Sequence, residues 1–344
     1  GAANWTDVLS VNVTIDSATS RAIVDVNSSV KTTFAAIAGI TTLGGPSSAT
    51  AVFDSRDIEV GVQLDMTGSM GGSKIAALKV ATTELVDILL PSKPTGQKVR
   101  VGFAPFAAGV NAGSYIKAVN GNRASANNCV YERQSSTNEL TDEAPTGLDG
   151  YKIKSDLASP PPGYGPIQNC PANAEIVPLT DKPEVLKASI AKFAASGSTA
   201  GQLGAAWAWN LVSPKWGTVW PAASKPVDYG DAKTDKIVIL MTDGEYNTIG
   251  GVNWGNGSPE AIAASKMSVD LCTAMKNEPD ANITVYTVGF KLDTVLSTNT
   301  LKDCAGRKGN PSSDGFFYVA DDEEALKVAF KSIANNIMRL RLSN

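Results

Sequence analysis

The chain has 344 residues, 43% of them hydrophobic and 19% charged, with a formal net charge of −4. That is enough apolar material for one large domain or two smaller ones, and the acidic balance argues against a basic nucleic-acid-binding face. Histidine is absent altogether, which excludes Ser-His-Asp and Cys-His catalysis and HExxH zinc sites but leaves hard cations held by oxygen ligands.

The first 57 residues read as strands. In VLSVNVTID, Leu9, Val11, Val13 and Ile15 alternate with polar residues, the period of a half-buried strand. AIVDV (22–26) and SATAVF (48–53) predict further strands, and at the far end MRLRLS sets Met338, Leu340 and Leu342 against Arg339 and Arg341. These pieces predict a small antiparallel sheet in which residues 1–57 pair with 338–344. The uncharged run from Thr32 to Phe53 is too polar to cross a bilayer. The chain starts at Gly1 rather than Met, which is the mark of processing or truncation.

From residue 58 the rhythm becomes strand, helix, strand, helix. IEVGVQL (58–64) precedes a helical pattern from Lys74 to Leu90, and VRVGFAPF (99–106) is the next strand. Later come KIVILM (236–241), a helix over 259–277, ITVYTVGF (283–290), a short helix near 294–304 and FFYVA (316–320). Asp321 and Asp322 are positioned to cap a last helix whose Leu326, Phe330, Ile333 and Ile337 recur at helical spacing. Continuous apolar strands between amphipathic helices predict a doubly wound, mostly parallel α/β sheet over 58–337, with helices on both faces. In TAGQLGAAWAWNLV, Trp207 and Trp209 stand two apart and cannot share one helical face, so one is expected in the core and the other at an interface.

Residues 109–173 interrupt the pattern with Gly, Asn, Ser and Pro, a length that calls for separate stabilisation. Four cysteines, Cys129, Cys170, Cys272 and Cys304, lack C-x-x-C spacing, so two disulfides and an oxidising compartment are expected. Of the three possible pairings, 129–170 with 272–304 is the simplest, because each closes one local loop.

In a doubly wound sheet ligands collect at the carboxyl ends of the strands, near the switch point. Two strands end alike: VGVQLD in Asp65 and VILMTD in Asp243. With Thr67 and Ser69, the first loop offers a carboxylate and two hydroxyls, hard donors suited to a Mg²⁺-like octahedron that keeps some waters.

Asp65-Met66-Thr67-Gly68-Ser69 resembles the D-x-S/T-x-S motif of von Willebrand factor A domains, their metal-ion-dependent adhesion site (MIDAS). That family adds a threonine from a later loop and an aspartate after the fourth strand, and GSTAGQLG and MTDGE supply Thr199 and Asp243 in that order. The resemblance implies Asp65, Thr67, Ser69, Thr199 and Asp243 as ligands of a divalent cation, Mg²⁺ before Mn²⁺ or Ca²⁺. It also implies that AEIVPLT (174–180) is an antiparallel third strand beside the second, and that the 109–173 insertion and the loop 245–258 overhang the metal. Residues 199–216, 238–247 and the tail from Leu301 resemble bacterial tight-adherence (Tad/Flp) pilus assembly proteins of the TadG type.

The function these resemblances imply is a non-enzymatic adhesion or assembly module of a pilus system, which binds a carboxylate-bearing protein partner through the cation. Its place would be the periplasmic or extracellular face of a bacterial envelope, secreted or anchored through a segment absent from this chain. The alternative is a structural scaffold of the secretion apparatus, in which the metal only staples loops. A Mg²⁺-dependent aspartyl phosphotransferase is the enzyme-class competitor, but it wants a second aspartate two residues on, where this chain has Thr67.

Overall fold

The computed structural model describes residues 7–16, 21–32, 34–52, 56–91, 98–134, 140–310 and 312–339. The chain divides into two units, one of residues 1–56, 95–97 and 338–344, the other of 57–94 and 98–337. In the first unit β1 (Asp7–Asp16), β2 (Arg21–Lys31) and β3 (Thr42–Val52) form an antiparallel sheet in that order. Val13 stands opposite Val24, and Val24 opposite Ala49.

In the second unit β4 (Asp57–Asp65) leads through a short 3₁₀ turn into α1 (Ser73–Leu89), followed by β5 (Val99–Phe106). The insertion carries β6 (Val110–Asn111), α2 (Ile116–Val119) and β7 (Cys129–Val130), and ends at β8 (Val177–Thr180). Then come α3 (Pro183–Ala191), α4 (Gly201–Val212), β9 (Thr234–Thr242), the hairpin β10 (Thr248–Ile249) and β11 (Val252–Asn253), and α5 (Pro259–Asn277). The chain continues with β12 (Thr284–Phe290), α6 (Val295–Cys304), β13 (Gly306–Arg307), β14 (Phe317–Ala320) and α7 (Glu323–Arg339).

The nine-stranded sheet has a parallel core in the order β5-β4-β9-β12-β14; β8 and β6 join β5, β7 joins β6 and β13 joins β12, all antiparallel. This is the doubly wound α/β order, with the antiparallel edge strand expected at 174–180 formed over Val177–Thr180. Strand order reverses at β4, which pairs with β5 on one side and β9 on the other, so the switch-point crevice lies at the carboxyl ends of β4 and β9.

Both faces of the sheet are apolar because both are covered. Val60, Val62 and Leu64 of β4 are fully buried, and α4, whose Gly61-facing residue Ala208 lies on the opposite side of the sheet from them, is buried at every position but Ala206. Gly61 and its register partner Gly102 form a notch for α4: a Cβ on Gly61 would stand 2.2 Å from the Ala208 carbonyl oxygen. On the other face Phe103 of β5 meets Phe193, just after α3, with ring centroids 6.3 Å apart. The sheet also carries a buried charge cluster at its amino end. Glu59 of β4 accepts from Lys236 of β9 at 2.6 Å and from Arg100 of β5, its register neighbours on either side.

Two expectations are corrected. Trp207 and Trp209 are both buried, because α4 is buried all round except at Ala206. Trp207 packs against Tyr151 and Trp216 at 5.0 and 5.5 Å, while Trp209 donates its indole N–H to the Tyr229 hydroxyl at 3.1 Å. Met338 and Arg339 are the last residues of α7 and not part of a strand; residues 340–344 lie outside the described residues. The buried stripe Leu326, Phe330, Ile333 and Ile337 carries the helix through them, a longer periodic signal than the alternation of MRLRLS. At the other end of α7, Asp322 Oδ1 accepts the Ala325 N–H at 2.7 Å and caps the helix.

Candidate metal centre

The apolar run of β4 buries Asp65 completely, and the turn that follows is drawn back onto the sheet by Met66 N–H donating to Phe106 O at 2.8 Å. Asp65 is held on both oxygens. Thr67 N–H donates to Oδ1 at 2.8 Å, and the Thr242 hydroxyl at the end of β9 donates to Oδ2 at 2.7 Å. From there a continuous chain of side chains runs outward. Thr67 Oγ1 and Ser69 Oγ are 2.9 Å apart, and Ser69 Oγ donates to Asp243 Oδ1 at 2.6 Å. Thr67 and Asp243 are buried, while Ser69 is exposed, so the cluster opens to solvent on one side.

Thr199 arrives by another route. Gly68 N–H donates to Gly197 O at 2.7 Å and Ser196 N–H to Met66 O at 2.8 Å, which lays the 196–199 loop against the first turn. Thr199 is buried, and its N–H donates to Asn247 Oδ1 at 3.1 Å. Asp65, Thr67, Ser69 and Asp243 are thus linked by hydrogen bonds, Asp65 through the Thr67 N–H, and the loop that leads to Thr199 is laid against the same turn.

The insertion and the loop after β9 both reach the Thr199 end of this cluster. Gln168 accepts the Ser198 hydroxyl at 2.8 Å, and Gln168 N–H donates to Gly251 O at 2.8 Å. Glu132 ties the insertion to the loop after β9 and to α4. It accepts from Gly250 N–H at 2.9 Å and from Gln202 Nε2 at 3.2 Å, and its burial pushes its carboxyl above the usual range. The cysteines pair 129–170 and 272–304, and the first bridge closes the insertion beside Gln168.

Burial, with the Asp243 carboxylate adding to it, pushes Asp65 up to about 7. The buried Asp65 is therefore short of positive charge, which a divalent cation would supply. Among the described residues no cluster of three or more His, Cys, Asp or Glu forms, so any cation here would rest on two carboxylates and on hydroxyls. Asp65 Oδ1, Asp243 Oδ1 and the Thr67 and Ser69 hydroxyl oxygens each keep a further lone pair beyond these bonds, while Asp65 Oδ2 accepts from both the Thr242 hydroxyl and the Asp243 N–H. The donor set therefore fits a hard cation that retains water. Sequence reasoning missed Lys74 and Thr242, which also touch the two aspartates: Lys74 Nζ lies 2.7 Å from Asp243 Oδ2. The signal for Lys74 was its place in the first turn of a helix, where the dipole disfavours a cation.

No protein-family model and no curated protein matches this sequence. Among solved structures, the chain is similar to the vWF domain of the type V pili tip protein Mfa5 from Porphyromonas gingivalis, at 14% identity over 84% of this chain and 98% of that one, with a TM-score of 0.49. It is also similar to the open conformation of the pilus adhesin SpaC from Lactobacillus rhamnosus GG, at 11% identity over 96% of this chain and 34% of that one, TM-score 0.47. The PilB minor pilin from Streptococcus sanguinis gives 11% identity over 96% of this chain and 78% of that one, TM-score 0.46. Likeness at this level says nothing of ligand or partner.

Proposed function

We propose that the second unit is a von Willebrand A-type module that binds a protein partner through a divalent cation, without catalysis, in a bacterial pilus system of the tight-adherence kind. The observation that carries the metal reading is the hydrogen-bonded cluster of Asp65, Thr67, Ser69 and Asp243 at the switch point. The pilus assignment rests on the sequence resemblance of residues 199–216, 238–247 and the tail. Asp65, Thr67, Ser69, Thr199 and Asp243 would hold the cation, Mg²⁺ by preference for a site of few carboxylates.

The cation would supply a positive centre with an open coordination position for a partner carboxylate. Asp65 and Asp243 provide the anchoring charge, the three hydroxyl residues complete the oxygen set, and the buried walls strengthen the charge-assisted contact. The bonds of Gln168 to Ser198 and of Asn247 to Thr199 tie the insertion and the 245–258 loop to the 196–199 loop, which supports a role for both in selecting the partner. Two disulfides suit an oxidising compartment such as the periplasm or the cell exterior. Among the described residues no helix is long and apolar enough to cross a membrane.

The test is binding of an aspartate-containing peptide and its asparagine analogue to wild type and Asp243→Ala, each in Mn²⁺ and in chelator. The reading predicts binding only for the aspartate peptide, the wild type and Mn²⁺ together. Equal binding in chelator would contradict it.

A further inference from the structure

Lys74 is the second residue of α1, in a first turn that contains no acidic residue and no side-chain cap. A cation there faces the positive end of the helix dipole, an unfavourable place for it. Its compensation comes from outside the helix. Lys74 Nζ donates to Asp243 Oδ2 at 2.7 Å, with the Asp243 side chain fully buried and that of Lys74 23% exposed. The two Asp243 oxygens are thereby divided, Oδ1 to the Ser69 hydroxyl and Oδ2 to the ammonium. The nearby Glu323 is engaged elsewhere, accepting from Ser73 at 2.9 Å and from Lys291 at 3.0 Å. Lys74 is thus committed to Asp243, and Lys291 to Glu323.

We propose that Lys74 is a built-in counter-cation that sets the charge of the metal site, and so makes the occupied site select an anionic ligand. This rests on the metal reading above and adds a specificity-determining residue to it. Asp65 and Asp243 ionised carry two negative charges, and Lys74 returns one positive charge at contact distance. A divalent cation then brings the site to a net charge of about +1, where without Lys74 it would be neutral. A positive site attracts a carboxylate over a neutral amide or hydroxyl oxygen. The same ammonium repels the incoming dication, so Lys74 weakens cation binding while strengthening anion binding. Cation and carboxylate then bind with positive coupling, each raising the affinity of the other.

The experiment is calorimetric titration of the full chain with Mn²⁺ alone, and then with N-acetylaspartate at saturating Mn²⁺. Wild type, Lys74→Met, Lys74→Arg and Asp65→Ala are compared. Lys74→Met should bind Mn²⁺ on the order of tenfold more tightly and N-acetylaspartate on the order of tenfold more weakly. Lys74→Arg keeps the charge on a different shape and should stay within about twofold of wild type in both titrations. If Lys74→Met binds Mn²⁺ as wild type does, or more weakly, Lys74 only orients Asp243 and the proposal is wrong, although the metal reading survives. If wild type binds no Mn²⁺, or Asp65→Ala binds it equally well, the metal reading fails and takes this proposal with it. Melting of each variant in chelator reports folding separately, and a Lys74→Arg that melts normally but follows Lys74→Met in both titrations would also overturn the role of charge.

Discussion

Ser69 Oγ donates to Asp243 Oδ1 at 2.6 Å, joining the loop after β4 to the loop after β9 across 174 residues of sequence. The bond exists because β4 and β9 are parallel neighbours, with Gln63 in register with Leu240, so their carboxyl ends emerge together. Ser69→Ala should remove one hard donor and one charge-assisted bond. The expected result is weaker Mn²⁺ binding with a stability loss of about 1.5–3 kcal/mol in chelator. Unchanged Mn²⁺ affinity, measured by calorimetry, would exclude Ser69 as a ligand.

Asp65 gives the site a pH signature. Its carboxyl is raised to about 7 by burial and by Asp243. The folded chain therefore holds a proton that the unfolded chain releases near pH 4. The stability this group contributes is complete below about pH 4 and is lost as pH rises through about 7. Cation binding needs the ionised form, so the melting shift caused by Mg²⁺ should grow between pH 5 and 7.5. Asp65→Asn should remove both trends. A Mg²⁺ shift of equal size at pH 5 and 7.5 would argue against Asp65 as a ligand.

Glu59 supports the opposite end of the same strand. It pairs with both Lys236 and Arg100 in a buried cluster, and it also accepts the Val227 N–H at 2.9 Å. Glu59→Ala leaves two cations without their carboxylate, a loss of about 3–5 kcal/mol in urea unfolding. Its effect on the cation-induced melting shift should be small, since the metal cluster lies at the other end of β4. A loss below about 1 kcal/mol would contradict the account of this cluster.

Gly61→Ala probes the seat of α4. The added Cβ would meet the Ala208 carbonyl oxygen at 2.2 Å, a backbone atom that cannot rotate away, so the helix must shift. A destabilisation of about 1–3 kcal/mol is expected by urea unfolding. Because α4 starts just after Thr199, the shift should also weaken Mn²⁺ binding. A fully stable Gly61→Ala would show that the notch is not needed.

The sheet was legible because its strands are buried on both faces and so read as mostly apolar runs, as in residues 58–64 and 236–241, broken only by Glu59, Gln63 and Lys236. Asp65 and Asp243 stood out as the first charges after such runs. Thr199 carries no such mark; it lies between a loop and α4, and only its family motif picked it out. The burial of both tryptophans was hidden by reasoning from one helical face, although GQLGAAWAWNLV has no charge on any face and so had the composition of a buried helix. The end of α7 was misread because a six-residue alternation was weighed apart from the helical stripe leading into it. Glu132 was not legible at all. Its partners Gly250 and Gln202 are distant in sequence, and no periodic pattern encodes such hydrogen bonds.

The most direct test of the central claim is thermal melting of wild type and Asp65→Ala, first in chelator and then in excess Mg²⁺, Mn²⁺ or Ca²⁺. A ligand at a hundred times its dissociation constant stabilises the folded state by about 2.7 kcal/mol. The account predicts a clear upward shift of the wild type with at least one of these ions, and none for Asp65→Ala. A wild type that melts at the same temperature with and without every ion would contradict it.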